Sequence, residues 1–259
     1  MITSINNKQI KNIIQLNKKS KARKENDLFV VEGLKMFLEA PREYIMQVYV
    51  SETFINKEDN KALLGNINYE VLEDQVFLAA SDTKTPQGIM CIMKQFHYHP
   101  MDIINQDKPH IIILEDLQDP GNLGTIMRAG EGAGISGVIL SSNSVDIYNP
   151  KTIRSTMGSI YRVPFVYVDD LINILEVLKK NNIFTYAAHL KQSKDYVKLD
   201  YIRPTAFMIG NEGKGLSDEI SARADAFIKI PMLGKVESLN AAVASSILMY
   251  EVFRQRRNL

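Results

Sequence analysis

The chain has no tryptophan and one cysteine, Cys91. A lone thiol excludes an internal disulfide, which fits a reducing compartment, and it leaves the His97/His99 pair without a third ligand spaced for zinc. No metal site is expected. No apolar run approaches the ~20 residues that span a bilayer. The opening MITSINNKQIKNII lacks the basic start, apolar middle and small-residue cleavage site of a signal peptide. A cytoplasmic protein without membrane contact is expected. Net charge is only +1, so no global field draws the chain onto nucleic acid. There is no G-x-S-x-G elbow of a serine hydrolase. Gly213-Lys214-Gly215 lacks both the Ser/Thr and the upstream glycine of a phosphate loop.

What is present is a globular composition, 45% apolar and 24% charged, over a length that suits one large domain or two ordinary ones. Strand and helix patterns alternate twice. In the front part, strands are expected at 29–31, 44–50, 69–72 and 89–93, with helices between them. Residues 96–108 (FHYHPMDIINQDK) lose periodicity around Pro100. The expected division is a small α/β domain at 1–98, a linker at 99–108 and a second domain at 109–259. The second part shows strands at 110–114, 137–140, 163–168, 183–187, 206–209 and 227–230. Its helices fall at 123–133, 151–158, 171–180, 216–223 and 239–254. Continuous apolar strands separated by helices predict an α/β fold with a mainly parallel sheet covered on both faces.

Gly132-Ala133-Gly134-Ile135-Ser136-Gly137 matches the dinucleotide pattern G-x-G-x-x-G, but in reversed context. A helix precedes it and a strand follows, so the glycines are expected to end the helix and the oxidoreductase reading falls. Charge is uneven. Residues 8–24 carry seven Lys/Arg and no acid, and the chain ends with Arg254, Arg256 and Arg257 nearby. Two basic ends on a near-neutral protein suggest a local phosphate-binding patch.

Three loops carry the chemistry. Two short apolar runs, 206–209 and 227–230, each stop in a loop of Gly, Asn, Lys and Ser ahead of a helix; α/β proteins hold ligands at such places. A third loop is DPGNLGTIMRAGEGAG at 119–134. Together, Asn122-Leu123-Gly124-Thr125-Ile126-Met127-Arg128-Ala129, Ile209-Gly210-Asn211-Glu212-Gly213-Lys214-Gly215-Leu216, and Ile230-Pro231-Met232 followed by Glu237-Ser238-Leu239-Asn240-Ala241-Ala242 resemble the three motifs of the SpoU (TrmH) family of RNA ribose methyltransferases, in the SPOUT superfamily. They stand in family order and span about 130 residues. At the front, the basic first helix, Phe29-Val30-Val31-Glu32-Gly33 and Thr85-Pro86-Gln87-Gly88 resemble the family's small ribosomal-protein-like substrate-binding domain.

The resemblance implies a deep trefoil knot in the second domain and S-adenosylmethionine bound within it. By motif position Gly210, Ile230 and Leu239 would touch the cofactor. Met208 and Met232 would line the adenine slot, and Gly213, Gly215 and Gly234 would allow close backbone approach. The reaction implied is attack of a ribose 2′-hydroxyl on the cofactor's methyl. Arg128 and Asn240 rank first as catalytic residues, Asn122 and Ser238 next, then Glu212. A guanidinium holds its proton, so Arg128 would bind phosphate and position or polarise the hydroxyl. Asn122 would cap the 123–133 helix and Ser238 the last one. Taken singly, each of these residues suits an ordinary structural role equally well. Lys18, Lys19, Lys21 and Arg23 are the expected RNA contacts. Ribosomal RNA is the expected substrate; a transfer-RNA enzyme or a non-catalytic RNA-binding module are the alternatives. The apolar stripe of the last helix suits a homodimer or a core equally, and the resemblance implies the dimer, with no DNA partner.

Overall fold

Ile- and Val-rich segments that lack polar alternation must be covered on both faces. The computed structural model, which describes residues 1–189 and 193–257, meets that demand in two compact units. One unit contains Met1–Phe96 together with Asp146–Tyr161. The other contains His97–Val145 and the chain from Arg162 onward.

The first unit runs α1 (Lys8–Lys18), α2 (Ser20–Asn26), β1 (Leu28–Glu32), α3 (Leu34–Glu39), β2 (Ile45–Ser51), α4 (Glu52–Ile55), α5 (Glu58–Leu64), β3 (Tyr69–Leu72), α6 (Asp74–Ala80) and β4 (Ile89–Lys94). Its sheet has the order β1-β4-β2-β3, antiparallel except for the β2–β3 pair. Ile10, Ile13 and Leu16 on α1 are fully buried against this sheet and α6. Each such side chain contributes on the order of 1.5–3 kcal/mol.

The second unit runs α7 (Pro100–Ile104), β5 (His110–Leu114), α8 (Pro120–Ala133) and β6 (Gly137–Ser141). The chain then returns α9 (Pro150–Thr156) to the first unit. The second unit resumes with β7 (Phe165–Val168), α10 (Leu171–Lys180), β8 (Phe184–Ala188), β9 (Lys194–Asp195), β10 (Thr205–Ile209), α11 (Asp218–Ser221), β11 (Ala226–Lys229) and α12 (Ala241–Arg256). Seven strands lie in the order β7-β6-β5-β10-β8-β11-β9, and every neighbouring pair is parallel. The two-residue β9 has no apolar run and escapes a sequence reading. On β10, Ala206 and Met208 join a core with α7, α10 and α11. Phe207, on the opposite face, meets Tyr186, Tyr201 and His110.

Two assignments differ from the sequence expectation. The segment taken as a linker forms α7, because His99 Nδ1 accepts from Met101 N and Asp102 accepts from His99 N, with Pro100 at the first helical position. Its Ile103 and Ile104 are buried in the second unit. The segment 146–161, expected within the second domain, packs in the first. Tyr148 stacks 4.6 Å from Phe29 and exchanges hydrogen bonds with the Phe96 backbone, and Tyr161 Oη donates to Met36 O. The glycine pattern after α8 ends the helix as expected, with Gly134 at φ 70°.

Candidate functional site

Because the large sheet is parallel, the loops after β5, β8, β10 and β11 leave it at one edge. Those loops carry the three motifs. After β5 the backbone enters the left-handed region at Asp116 (φ 53°), a conformation few non-glycine residues hold. It is fixed by Asp116 N donating to Ser141 Oγ, which in turn donates to Asp116 Oδ1. Asp119 then caps α8 by accepting from Asn122 N. Asp119-Pro120 is thus the start signal, and the helix begins three residues earlier than expected. Asn122 lies inside the first turn and is not the cap.

After β10 the chain turns on itself. Asn211 and Gly215 exchange backbone hydrogen bonds at 3.1 and 2.9 Å, and Asn211 Oδ1 accepts from Gly213 N and Lys214 N. Gly210 is unavoidable here: a Cβ would lie 2.1 Å from the Gly215 carbonyl carbon and Leu216 nitrogen. Asn211 Nδ2 reaches Asp116 O at 2.9 Å, and Ser217 N and Oγ donate to the Glu115 carboxylate, so the second motif is tied to the first.

Glu212 extends that tie. Its carboxylate accepts from Gln118 N (3.0 Å), Asp119 N (2.9 Å) and Asn122 Nδ2 (2.9 Å). Partial burial pushes the carboxyl up, but these bonds outweigh it and hold it below its ordinary range. Asn122 Oδ1 accepts from Asn240 Nδ2 at 2.9 Å. Asn240 Oδ1 accepts from Ala242 N and Val243 N and so caps α12. All three motifs therefore meet in one chain of bonds, Glu212–Asn122–Asn240. The α12 cap expected of Ser238 belongs to Asn240.

Beside this chain lies a cavity of about 660 Å³. Gly210, Gly213, Gly215, Ile230, Met232, Ser238, Leu239 and Asn240, all expected at the site, line it. Glu237 and Ala241 of the third motif line it too, as do His189 and Leu248, to which no motif pointed. Residues 231–238 make no backbone hydrogen bond among the described residues, and of them Met232, Glu237 and Ser238 line the cavity.

Three expected site residues lie elsewhere. Met208 is fully buried in the α10–α11 core, because successive β10 side chains alternate between faces. Gly234 has nothing within 4 Å of a built Cβ and does not line the cavity. Arg23 is 3% exposed, and its guanidinium is spent on Asp146 Oδ2 (2.7 and 2.9 Å) and on Leu16 O and Asn17 O. It cannot meet RNA. At the other basic end two of the three arginines are committed: Arg254 pairs with Glu251, and Arg256 donates to Lys108 O, Tyr201 O and Arg203 O. Lys18, Lys19 and Lys21 are exposed, the last paired with Glu25 at 3.6 Å. Arg128 is exposed on α8, outside the cavity lining, and holds no hydrogen bond or ion pair among the described residues.

Residues 109–250 match the model of the SpoU rRNA methylase family. The chain belongs to that family. Residues 7–91 match a second model, the MRM3-like substrate binding domain. The 23S rRNA (guanosine(2553)-2′-O)-methyltransferase RlmP of Bacillus subtilis is 30% identical over 97% of this chain and 98% of its own. An AdoMet-bound rRNA methyltransferase from Sinorhizobium meliloti superposes with a TM-score of 0.85 at 31% identity, over 100% of this chain and 97% of that one. A structure described as giving insights into 2-OH methylation of C/U34 on tRNA matches 59% of this chain and 100% of its own, with a TM-score of 0.54 and 25% identity. The family membership agrees with the motif resemblance, and the α/β fold with a large parallel sheet agrees with the expected class.

Proposed function

We propose that this chain transfers a methyl group from S-adenosylmethionine to a ribose 2′-hydroxyl of ribosomal RNA. The observation that carries this is the joining of the three motif loops through Glu212, Asn122 and Asn240 beside a cavity that the second and third loops line. Two relatives matched over almost the whole chain are named for ribosomal RNA, whereas the transfer-RNA structure matches 59% of the chain. The residues present fit the cofactor. A cavity with apolar walls (Ile209, Leu216, Leu239, Leu248) suits an adenine ring, and the open backbone at Met232, Glu237 and Ser238 offers donors and acceptors to its edge. When bound, the cofactor supplies a methyl group on a positively charged sulfur.

The network decides what the protein's own groups can do. Both amide oxygens, of Asn122 and Asn240, are occupied, as are both oxygens of Glu212. Each amide keeps one N–H unspent, so Asn122 and Asn240 offer donors that hold the 2′-oxygen in place. None of the three is poised as a base: the two amides have no basic atom, and the lowered Glu212 pKa makes its carboxylate a weaker base than an ordinary one. Arg128, exposed and unengaged, is the group available to a flanking phosphate. Ser238 lines the cavity and its hydroxyl is unengaged among the described residues.

The reading extends to a trefoil knot, which membership of the SpoU family supports. It also extends to a cytoplasmic homodimer. On α12, Val243, Tyr250 and Phe253 remain 42–47% exposed, an apolar face suited to a second copy. The deciding experiment offers labelled S-adenosylmethionine and the purified chain to total RNA from a strain lacking the protein. Label in the large ribosomal RNA is expected. Label in transfer RNA alone would overturn the substrate, and absence of both label and cofactor binding would return the non-catalytic module.

A further inference from the structure

The chain of bonds through Glu212, Asn122 and Asn240 does not begin at Glu212. Two donors to that carboxylate, Gln118 N and Asp119 N, sit on the turn between β5 and α8. Residues 141–145, at and after the end of β6, hold this turn, and no motif pointed to them. Val145 N donates to Leu117 O at 2.7 Å, and Asn143 O accepts from Gln118 Nε2 at 3.0 Å. Ser141 is buried, and its hydroxyl accepts from Asp116 N at 2.8 Å while donating to Asp116 Oδ1 at 2.7 Å. Its one proton is spent there, so Ser144 Oγ, 3.1 Å away, is the donor in the remaining contact.

What Ser141 fixes is a backbone carbonyl. Asp116, at φ 53°, stands where a side chain with a Cβ is disfavoured, and its two bonds to Ser141 keep it there. In that conformation Asp116 O accepts twice, from Asn211 Nδ2 at 2.9 Å and from Gln118 Nε2 at 3.0 Å, which uses both lone pairs. One donor belongs to the residue before Glu212. The other belongs to a residue whose own N–H binds the Glu212 carboxylate. A single oxygen therefore sets both sides of the Glu212 contact. If Asp116 relaxed to a negative φ, its carbonyl would turn, both ties would open and Asn122 would lose its fixed partner.

We propose that Ser141 is a positioning residue for methyl transfer: it holds Asp116 left-handed, and the Asp116 carbonyl in turn fixes Glu212 and the Asn122 amide. This rests on the reading of the chain as a ribose methyltransferase. The test compares full-length wild type with Ser141→Ala, Ser144→Ala and the double variant Ser141→Ala/Asp116→Gly. Methyl transfer to ribosomal RNA, cofactor affinity by calorimetry and the side-chain amide resonances of Asn122 and Asn240 are measured for each. In Ser141→Ala, kcat falls about fivefold, the worth of one hydrogen bond expressed as a rate. The KM for RNA and the cofactor affinity stay unchanged, and the Asn122 amide resonance shifts or broadens. Ser144→Ala, which leaves both Asp116 bonds in place, keeps the wild-type rate. Glycine at 116 takes the same φ without help from Ser141, so the double variant regains most of the lost rate and the wild-type Asn122 resonance. Should Ser141→Ala not fold, Asp116→Ala carries the same expectations. Wild-type kcat and resonances in Ser141→Ala, an equal loss in Ser144→Ala, or no recovery with glycine would overturn the proposal. A wild-type chain that methylates no RNA would sink the methyltransferase reading, and the amide resonances alone would then decide whether Ser141 fixes Asn122.

Discussion

Arg23 on α2 and Arg128 on α8 sit in different units and occupy opposite situations. Around Arg23 the chain closes in: Asp146, Leu16 O and Asn17 O take up its donors, and Ser20 Oγ adds a bond to the same carboxylate. Around Arg128 nothing closes in, although Asn122, one and a half turns earlier on the same helix, is locked at both ends of its amide. A buried, fully engaged guanidinium holds a fold together. An exposed one with its donors unspent is available for a ligand's charge. The position of a basic residue in the sequence does not separate the two; the partners do.

The strongest way to break the contrast is Arg23→Ala. Removing one partner of a buried pair leaves Asp146 uncompensated and costs about 3–5 kcal/mol, so a large drop in Tm is expected while the folded fraction keeps its kcat. An unchanged melting curve would return Arg23 to the surface. Arg128→Ala is expected to do the reverse. Methyl transfer falls on the order of 10²–10³-fold, the usual range for a lost charge-stabilising donor, with Tm and cofactor affinity unaltered; a fully active variant ends its role. Glu212→Gln replaces one acceptor by a donor facing donors, so Asn122 loses its fixed amide. The expected result is a fall in kcat on the order of tenfold, larger than any change in cofactor affinity, and equal kcat would make Glu212 a mere loop tie.

An effect that builds gradually with pH comes from His110. It is 2% exposed with no partner for Nε2, and burial, helped by Arg256, lowers its pKa to about 3. Below pH 6.5 the unfolded chain takes up a proton that the folded one refuses. Stability therefore falls as pH drops from 6.5 toward 3, by about 1.4 kcal/mol per unit. Denaturant titrations of His110→Leu, set against wild type across that window, should lack this component. Smallest is the effect of Lys18→Ala, Lys19→Ala and Lys21→Ala together: exposed lysines are expected to change RNA affinity by only about two- to threefold, through the general field. A loss of about tenfold or more would restore the basic helices as the main RNA contact.

Much of the fold was readable because it rests on local rules. The strand at 69–72 and the helix at 74–80 fall where periodicity puts them, and Gly134 ends α8 as a left-handed cap. The meeting of the motifs was readable too, since parallel strands bring their following loops to one edge. What was not readable depended on distant partners. Met208 and Met232 look alike in sequence, yet one is core and the other lines the cavity, a matter of which face of β10 points where. Arg23 among seven basic residues gives no sign of Asp146, more than a hundred residues on. The α8 start was misplaced through reading Asn122 as the cap, when Asp119-Pro120 carried the signal.

The return of residues 146–161 to the first unit also bears on how this chain can be divided. A cut after Phe96 would remove Tyr148 from Phe29 and Asp146 from Arg23, so the front piece would carry an open aromatic core and a stranded buried cation. The family boundary at residue 109 is therefore not a seam in the folded molecule. Recombination that exchanged only the first hundred residues would have to bring a matching internal insert with it, which ties the history of the front unit to that of the loop between β6 and β7.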